Sequence, residues 1–428
     1  MGLSYDNNLG IYLADELGPM ISVIADFRLA MRNLRRNTQR TLVATLTVAF
    51  GIVAFLLAGG FIAWIFDQMR EGTIHSQLGH VQIVRPGYFE KGIADPYAFL
   101  LPEQSPEQQI VEKMPGFQSL APRLSFSGLI SHGDTTIAFV GDGVDPAREK
   151  PISSRVTIVS GRDLAAANEN AVLLGEGLAR SMGVNEGGVV VLLATAANGS
   201  ASAVEVKVAG TFATTYKDYD DSALRLPIQV ARKLMKVRGA TSWVVLLDKT
   251  ERTADSANYL AAALPAKGFE IVPWSSLADF YNKTVVLFSK QVSVVKFIIG
   301  LIIVLTISNT QMMSVLERTT EIGTSLAIGQ RRNTVMRMFV AEGALIGVVG
   351  GLLGVVLGYV LAQVISSIGI PMPPPPGMAR GFLGEILIAP QLAFDALVLA
   401  LVTTFLASVM PAWKASRMNI VDALRHNQ

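Results

Sequence analysis

The chain has 428 residues, of which 50% are hydrophobic and 16% are charged, whereas a soluble domain carries about 25% charged residues. Its formal net charge of +2 gives no indication of a nucleic-acid partner, because the arginines cluster beside apolar stretches. The absence of cysteine excludes disulfides and thiolate metal sites. This composition is typical of a membrane protein and excludes most soluble enzymes.

Four uncharged apolar stretches lie unevenly along the sequence, one near the start and three in the last third. Each approaches the roughly 20 apolar residues that a helix needs to cross a membrane. The predicted fold class is therefore an α-helical membrane protein with four transmembrane helices in a 1+3 arrangement and a large α+β domain between the first and second. The predicted segments are span one at 41–66, the outer domain at 67–284, a stalk and span two at 285–316, span three at 341–365 and span four at 392–413.

The arginines predict the orientation, because positive charge in short loops marks the cytoplasmic side. Basic residues concentrate in segments 1–40, 317–340 and 414–428, whereas loop 366–391 offers only Arg380. We therefore expect those three segments, and both termini, in the cytoplasm, with the large domain outside. We interpret the arginines as topology anchors, with binding of acidic lipid headgroups as a secondary role.

The outer domain alternates between strand-like and helical patterns, which predicts a mixed α+β fold. A helical pattern then runs from Leu277 without glycine or proline until Gly300, so we expect one continuous helix into the second span. Strands are predicted at 80–84, 124–131, 135–140, 189–194, 204–212 and 243–247, and helices at 106–114, 176–182, 227–237 and 253–264.

The sequence contains no recognisable catalytic set. The four histidines have no metal-ligand partner at helical spacing, and the absence of a Gly-Lys dipeptide excludes a P-loop for nucleotide phosphates. We therefore expect that this chain is not an enzyme and binds no cofactor or metal, and that any ATP is hydrolysed by another chain. Glu342 and Asp395 lie at the ends of predicted spans, where we expect exposure at the membrane interface.

The most informative local motif lies between spans two and three, where the sequence reads ERTTEIG and then LAIGQRR. Glu317 and Glu321 are four residues apart, so they are predicted to share a helical face. Gly323 and Gly329 permit a turn or a close backbone approach, and Leu326, Ile328 and the following arginines are predicted to form a short amphipathic element. An ordinary charged loop would explain the arginines but not the paired glutamates and spaced glycines.

Glycines at a spacing of four in span three predict close helix packing. The packing partner is either another helix of the same chain, which we favour, or a second subunit. In the following loop, prolines 373–376 predict a stiff polyproline-II connector. The glycines are Gly343, Gly347 and Gly351 in one row and Gly350, Gly354 and Gly358 in another.

Glu-Arg-x-x-Glu-Ile-Gly at 317–323, with Ala327 and Gly329, resembles the signature of the MacB/FtsX/LolC-LolE family of ABC transporter permeases. Three weaker likenesses accompany it: 29–37 resembles the family's helix before span one, 172–187 its periplasmic core, and 411–424 its closing segment. Gly188 and Asn419 depart from residue types that are common in the family. The resemblance covers all four spans and part of the outer domain.

The resemblance implies a permease subunit of the bacterial inner membrane whose large domain is periplasmic. It implies two copies of a cytoplasmic ABC ATPase carrying ATP and magnesium, a second permease subunit in a homodimer or heterodimer, membrane lipids, and a periplasmic carrier or adaptor. The loop after span two would couple to the ATPase, and movement would reach the periplasm by mechanotransmission. The implied coupling residues are Glu317, Arg318, Glu321, Ile322, Gly323, Ala327, Gly329, Arg331 and Arg332.

Three functions within the family remain open at this point. The size of the outer domain favours a stand-alone subunit that extracts a lipoprotein, a lipid or another amphiphile. The alternatives are a MacB-like exporter of antibiotics or peptides, and an FtsX-like regulator of a periplasmic hydrolase that transports nothing.

Overall fold

The computed structural model describes residues 30–36, 38–92, 95–214, 216–373, 381–420 and 423. The chain divides into two compact units, one formed by residues 1–65, 286–370 and 384–428 and the other by 66–285 and 371–383. The predicted polyproline connector lies outside the described residues from position 374 onward, and the predicted segment 1–40 is described only from residue 30.

The helices, numbered along the chain, include four long ones and several short ones. Residues 30–36 are also helical. The helices are α1 Thr38–Thr73, α2 Tyr88–Lys91, α3 Pro106–Glu112, α4 Pro146–Glu149, α5 Glu176–Met182, α6 Lys217–Asp220, α7 Ile228–Met235, α8 Thr253–Ala263, α9 Trp274–Leu277, α10 Asp279–Glu317, α11 Thr319–Ala327, α12 Arg332–Ile368 and α13 Pro390–Ser416. A π-helical turn, Ile74–Leu78, follows α1, and 3₁₀ turns lie at Pro96–Phe99 and Thr250–Arg252.

The strands lie mainly in the unit that follows the first long helix. They are β1 Val81–Val84, β2 Phe117–His132, β3 Thr135–Val144, β4 Thr157–Gly161, β5 Ala171–Gly175, β6 Val189–Thr195, β7 Ala201–Ala213, β8 Ala223–Pro227, β9 Ser242–Leu247, β10 Glu270–Pro273, β11 Ile370–Met372 and β12 Phe382–Gly384. The large sheet has the order β10-β1-β9-β2-β3-β8-β5-β7-β4, and β6 pairs with both β2 and β7.

Four helices among the described residues are long and apolar enough to cross a membrane. They are Thr38–Leu78, which includes the π-helical turn, and α10, α12 and α13. The predicted four helices, with an α+β domain between the first and second, are confirmed. Helix α10 is unbroken from Asp279 to Glu317, because its first half contains no residue that interrupts the helical hydrogen bonds.

The predicted strands are all present, but the sequence patterns missed β4, β5, β8, β10, β11 and β12. Every residue of β5 and of β8 is buried. Strand β5, Ala-Val-Leu-Leu-Gly, shows the continuous apolar run of a strand that is buried on both faces, so it carries no period-two signal. Helix α5 has the predicted bounds and ends at Gly183, whose φ of 65° permits the backbone hydrogen bond from Val184 N to Ala179 O.

A buried ion pair anchors the π-helical turn within the outer unit. The Arg123 side chain donates to Glu149 over 3.1 Å, and both side chains are buried. Arg225 donates to the carbonyl oxygen of Ser76 over 2.6 Å and to the hydroxyl of Ser153 over 2.8 Å. Because Ser153 in turn donates to Glu149 over 2.8 Å, one buried carboxylate holds both arginines in place, and these bonds fix the end of the turn.

Candidate functional site

The motif between the second and third long helices contains a break in the backbone at Arg318. Helix α10 ends at Glu317 and α11 begins at Thr319, because Arg318 lies outside the helical region at φ −98° and ψ 14°. Glu317 and Glu321 therefore lie on two successive helices. The prediction that they share the face of one helix was wrong, because spacing alone carries no signal for a break.

Each glutamate nevertheless pairs with an arginine near the start of the chain. One nitrogen of Arg36 donates to both carboxylate oxygens of Glu321, over 2.7 and 2.8 Å, and two nitrogens of Arg40 each donate to one oxygen of Glu317. The side chains of both pairs are about half exposed, so solvent screens the charges and each pair contributes little to stability. These arginines were predicted to be topology anchors. The matching i, i+4 spacing of the two arginines and the two glutamates was the signal that it missed.

Helix α11 is fixed on its own bundle by apolar contacts. Ile322 and Leu326, one turn apart, are buried in a cluster with residues of α10, α12 and α13. Gly323 lies so close to Ala423 that a Cβ atom at this position would be 2.6 Å from the Cβ of Ala423. Ile322 and Gly323 therefore orient the helix, and their side-chain positions face the interior.

The exposed end of the motif lies at the turn between α11 and α12. Residues 327–332 are all exposed, and the Ile328 side chain has a relative exposure of 83%. Gly329 has a φ of 101°, a conformation that favours glycine, and it allows the chain to reverse before α12. The structure thus exposes Ala327, Ile328, Arg331 and Arg332 at the tip formed by the turn between α11 and α12.

A buried ion pair lies on the inner side of the break. Arg318 donates to Glu342 of α12 over 3.0 Å, and only 6% of each side chain is exposed. The side-chain amide of Asn33 donates to the same carboxylate oxygen over 2.9 Å. The expectation that Glu342 would be exposed at the membrane interface was wrong, because the carboxylate faces the helix bundle instead. Asp395 is half-buried and accepts a hydrogen bond from Gln391 over 3.4 Å.

A small cavity of about 40 Å³ lies beside this ion pair. Arg318 Nε and Gln311 Oε1 are buried near it, and neither has a hydrogen-bond partner among the described protein atoms. A cavity of this size holds one or two water molecules, and water usually satisfies such groups. Among the described residues, no group of three or more acidic or histidine side chains is placed to hold a metal ion.

The two glycine rows of α12 pack against two different helices of the same chain. The first row faces α13. A Cβ atom on Gly343 would lie 1.7 Å from Ser408 Oγ, one on Gly347 would lie 2.2 Å from Thr404 Oγ1, and one on Gly351 would lie 3.0 Å from the Ala400 Cβ. The other row faces α1, where Cβ atoms on Gly350, Gly354 and Gly358 would lie 2.8 Å from Val48, 2.7 Å from Ile52 and 2.8 Å from Leu56. Both rows therefore serve contacts within the chain, which hold α12 between α1 and α13.

Two family models match the chain in agreement with this architecture. The MacB-like periplasmic core domain matches residues 41–263, and the FtsX-like permease C-terminal domain matches residues 293–420. The chain belongs to the family of MacB-like and FtsX-like permeases. The domain between the first and second long helices is accordingly the periplasmic domain of this family.

Two relatives illustrate the range of the family. The chain is 26% identical over 422 residues to the macrolide export ATP-binding/permease protein MacB of Hyphomonas neptunium, covering 95% of this chain and 61% of that protein. It is 27% identical over 303 residues to the lipoprotein-releasing system transmembrane protein LolC of Xylella fastidiosa, covering 66% of this chain and 72% of that protein. The periplasmic region of MacB from Actinobacillus actinomycetemcomitans is similar at 14% identity with a TM-score of 0.34, over 48% of this chain and 93% of that one.

Proposed function

We propose that this permease subunit transmits ATP-driven movement from the cytoplasm to its periplasmic domain, and thereby extracts a lipoprotein, a lipid or another amphiphile from the membrane. Two copies of a cytoplasmic ABC ATPase would bind ATP and magnesium, and a second permease subunit would complete the complex. In this arrangement both termini face the cytoplasm, and a periplasmic carrier or adaptor receives the substrate.

The observation that carries the proposal is the geometry of the motif at 317–332. Its exposed tip combines Ile328 with Arg331 and Arg332, which suits a contact with an apolar pocket rimmed by carboxylates on the ATPase. On its inner side, Arg318 pairs with Glu342 of α12, and Asn33, at the start of the bundle, donates to the same carboxylate. A force applied at the tip would therefore act on several helices at once.

The proposal is tested with the full chain reconstituted in nanodiscs with its ATPase and a fluorescent triacylated lipopeptide. We expect release of the lipopeptide on ATP addition, and none with a hydrolysis-deficient ATPase. The Ile328→Asp variant is expected to lose ATPase association while it retains the wild-type melting temperature. Equal ATPase binding by Ile328→Asp would contradict the coupling role, and the absence of ATP-dependent release would contradict the extraction of amphiphiles.

A second candidate function is export of a small apolar compound from the periplasm. It is favoured by the match to the macrolide export protein, which extends over 95% of this chain. In the same nanodisc assay, stimulation of ATP hydrolysis by a macrolide but not by the lipopeptide would select this function over the first.

A further inference from the structure

The large sheet of the periplasmic domain divides along one edge of strand β2. The first part of β2, Phe117–Arg123, pairs with β9, and residues 129–131 pair with β6 on the same side. Between these two pairings, residues 124–128 have β3 on one side. On the other side, the part of the chain that the structure describes provides no partner strand.

Backbone polar groups point into this gap. Thr241 N donates to Arg123 O over 2.8 Å, and Ser125 N donates to Thr241 Oγ1 over 2.9 Å, so odd-numbered residues of β2 direct their amide and carbonyl groups to this side. Ser127 continues the pattern. Ser127 lies opposite Val140 of β3. The N–H of Val140 points away from β2 and donates to Ser222 O, so Ser127 and Val140 are a non-hydrogen-bonded pair of the β2–β3 ladder. The N–H and C=O of Ser127 therefore face the gap.

The gap opens into a groove of about 1080 Å³. Its walls are residues 125–129 of β2, the end of β6 with the start of β7, and the 3₁₀ turn with Pro96 and Tyr97. Asp95 is the one charged side chain among the described residues that line it. Apart from this one carboxylate, the described lining is uncharged, and the wall formed by β2 presents the N–H and C=O of Ser127.

The outward-facing positions beside the groove are apolar, although an exposed sheet face usually carries polar residues. Leu129 and Leu193 are directly opposite each other in the β2–β6 pair, and they are 46% and 40% exposed. Val140, opposite Ser127, is 51% exposed. The inward-facing neighbours Ile130 and Leu192 are fully buried. These three side chains give the rim of the groove an apolar surface that an extended segment could contact.

We propose that this groove binds an extended, uncharged polypeptide segment of a periplasmic partner, which pairs with β2 at Ser127, between Ser125, whose N–H donates to Thr241, and Leu129, which pairs with β6. The partner's main chain would pair with Ser127, and its alternate side chains would rest on Leu129, Leu193 and Val140. An acyl chain fits the groove less well, because it would bury the N–H and C=O of Ser127 without hydrogen bonds. This inference goes beyond the proposed function, since binding of this kind needs neither ATP nor transport.

The test starts from a library of short random peptides selected on the full-length protein in detergent. We expect the selected peptides to be poor in charged residues and rich in β-branched ones. The best peptide is then made with N-methyl groups at alternate backbone positions, in two registers. Strand pairing predicts that one register loses about tenfold or more in affinity, while the other binds like the parent peptide. This measurement uses the wild-type protein, so it does not depend on the folding of any variant.

Matched variants on strand β6 locate the site. Leu193→Asp places a charge in the groove, whereas Val189→Asp places one on the same strand at a side chain that is 48% exposed and lies outside the groove. We expect Leu193→Asp to weaken peptide binding about tenfold or more and Val189→Asp to leave it unchanged. The proposal would be overturned if both variants bound the peptide equally or if both N-methyl registers lost affinity equally. It would also be overturned if no peptide could be selected, or if a fatty acid displaced the selected peptide.

Discussion

Arg318 and Glu342 are joined by a buried ion pair, 3.0 Å long, at the break between helices α10 and α11. The same carboxylate oxygen accepts a hydrogen bond from Asn33. One buried group therefore ties together the start of the bundle, the break and helix α12. Arg318 cannot leave this position without exposing an unpaired carboxylate to the apolar interior, so the pair fixes the direction in which α11 leaves α10.

Replacing Glu342 is expected to destabilise the helix bundle. Glu342→Gln keeps the shape of the side chain but leaves the guanidinium of Arg318 buried without a counter-charge, and loss of one partner of a buried pair costs about 3 to 5 kcal/mol. The melting temperature of the detergent-solubilised protein should fall by several degrees. The double variant Arg318→Met/Glu342→Leu should regain most of the loss, since apolar residues of similar volume often replace buried pairs without cost.

Asp395→Asn is the matched control for this experiment. Both carboxylates lie near the end of a predicted span, but Asp395 is only half-buried and has one long hydrogen bond. We expect its replacement to change the melting temperature little. If Glu342→Gln and Asp395→Asn melt alike, Glu342 does not have the structural role assigned to it.

Exchange of charges between Arg36 and Glu321 separates a contact within the chain from a contact with the ATPase. Because this pair is about half exposed and screened by solvent, Glu321→Lys alone should change the melting temperature little. We expect it to weaken ATPase association in a pull-down measurement. The exchange Arg36→Glu/Glu321→Arg restores the pair within the chain. Recovery of ATPase binding by the exchange would show that Glu321 acts only through Arg36, whereas continued loss would indicate direct contact with the ATPase.

Two glycines of α12 should respond differently to the addition of one methyl group. In Gly354→Ala the new Cβ would lie 2.7 Å from the Ile52 Cβ and 2.8 Å from the carbonyl oxygen of Ala49, a backbone atom that cannot rotate away. We expect a loss of about 1 to 3 kcal/mol, which is typical of overpacking. In Gly351→Ala the nearest atom is the Ala400 Cβ at 3.0 Å, so a smaller loss is expected. Thermal unfolding of both variants measures the difference, and equal losses would argue against close packing of α1 on α12.

The membrane helices and their order could be predicted from sequence, because hydropathy and length depend on local composition. The motif at 317–323 was recognisable for the same reason. The turn at Gly329 and the close approach at Gly323 also follow from a local property, the absence of a Cβ atom. The break at Arg318 could not be predicted, since it depends on Glu342, a residue 24 positions away whose partner is set by helix packing.

The periplasmic domain shows a similar limit. Strand β6 was predicted because its sequence begins with three valines, a residue that is enriched in strands, whereas β5 and β8 have only five residues each and are buried throughout. The gap beside Ser127 could not be predicted from sequence, because it results from the pairing of β9 and β6 with two separate segments of β2, with Ser127 between them. Pairing between strands distant in sequence leaves no local pattern at the positions that remain unpaired.

His80 should make the stability of the periplasmic domain depend on pH. The imidazole is 1% exposed, its Nδ1 accepts the N–H of Leu247 over 3.0 Å, and its Nε2 lies 3.0 Å from the hydroxyl of Thr250. Burial, with a smaller effect from the charge of His75, lowers the pKa of His80 from 6.5 to about 4. Protonation at Nδ1 would replace the hydrogen bond from Leu247 by a clash of two donors, so the neutral ring is the form that fits the fold.

Because the pKa of His80 is lower in the folded state, the unfolded chain binds more protons between pH 6.5 and pH 4. The free energy of unfolding should therefore fall as the pH falls through this window, by about 3 kcal/mol from this group alone, and the full stabilisation should return above pH 6.5. Denaturation of the full chain, followed by its intrinsic tryptophan fluorescence, to which the buried Trp243 contributes, measures this slope. His80→Gln removes the titrating group, so its stability should vary less with pH over this range. Identical slopes for the wild type and His80→Gln would assign the pH dependence to other groups.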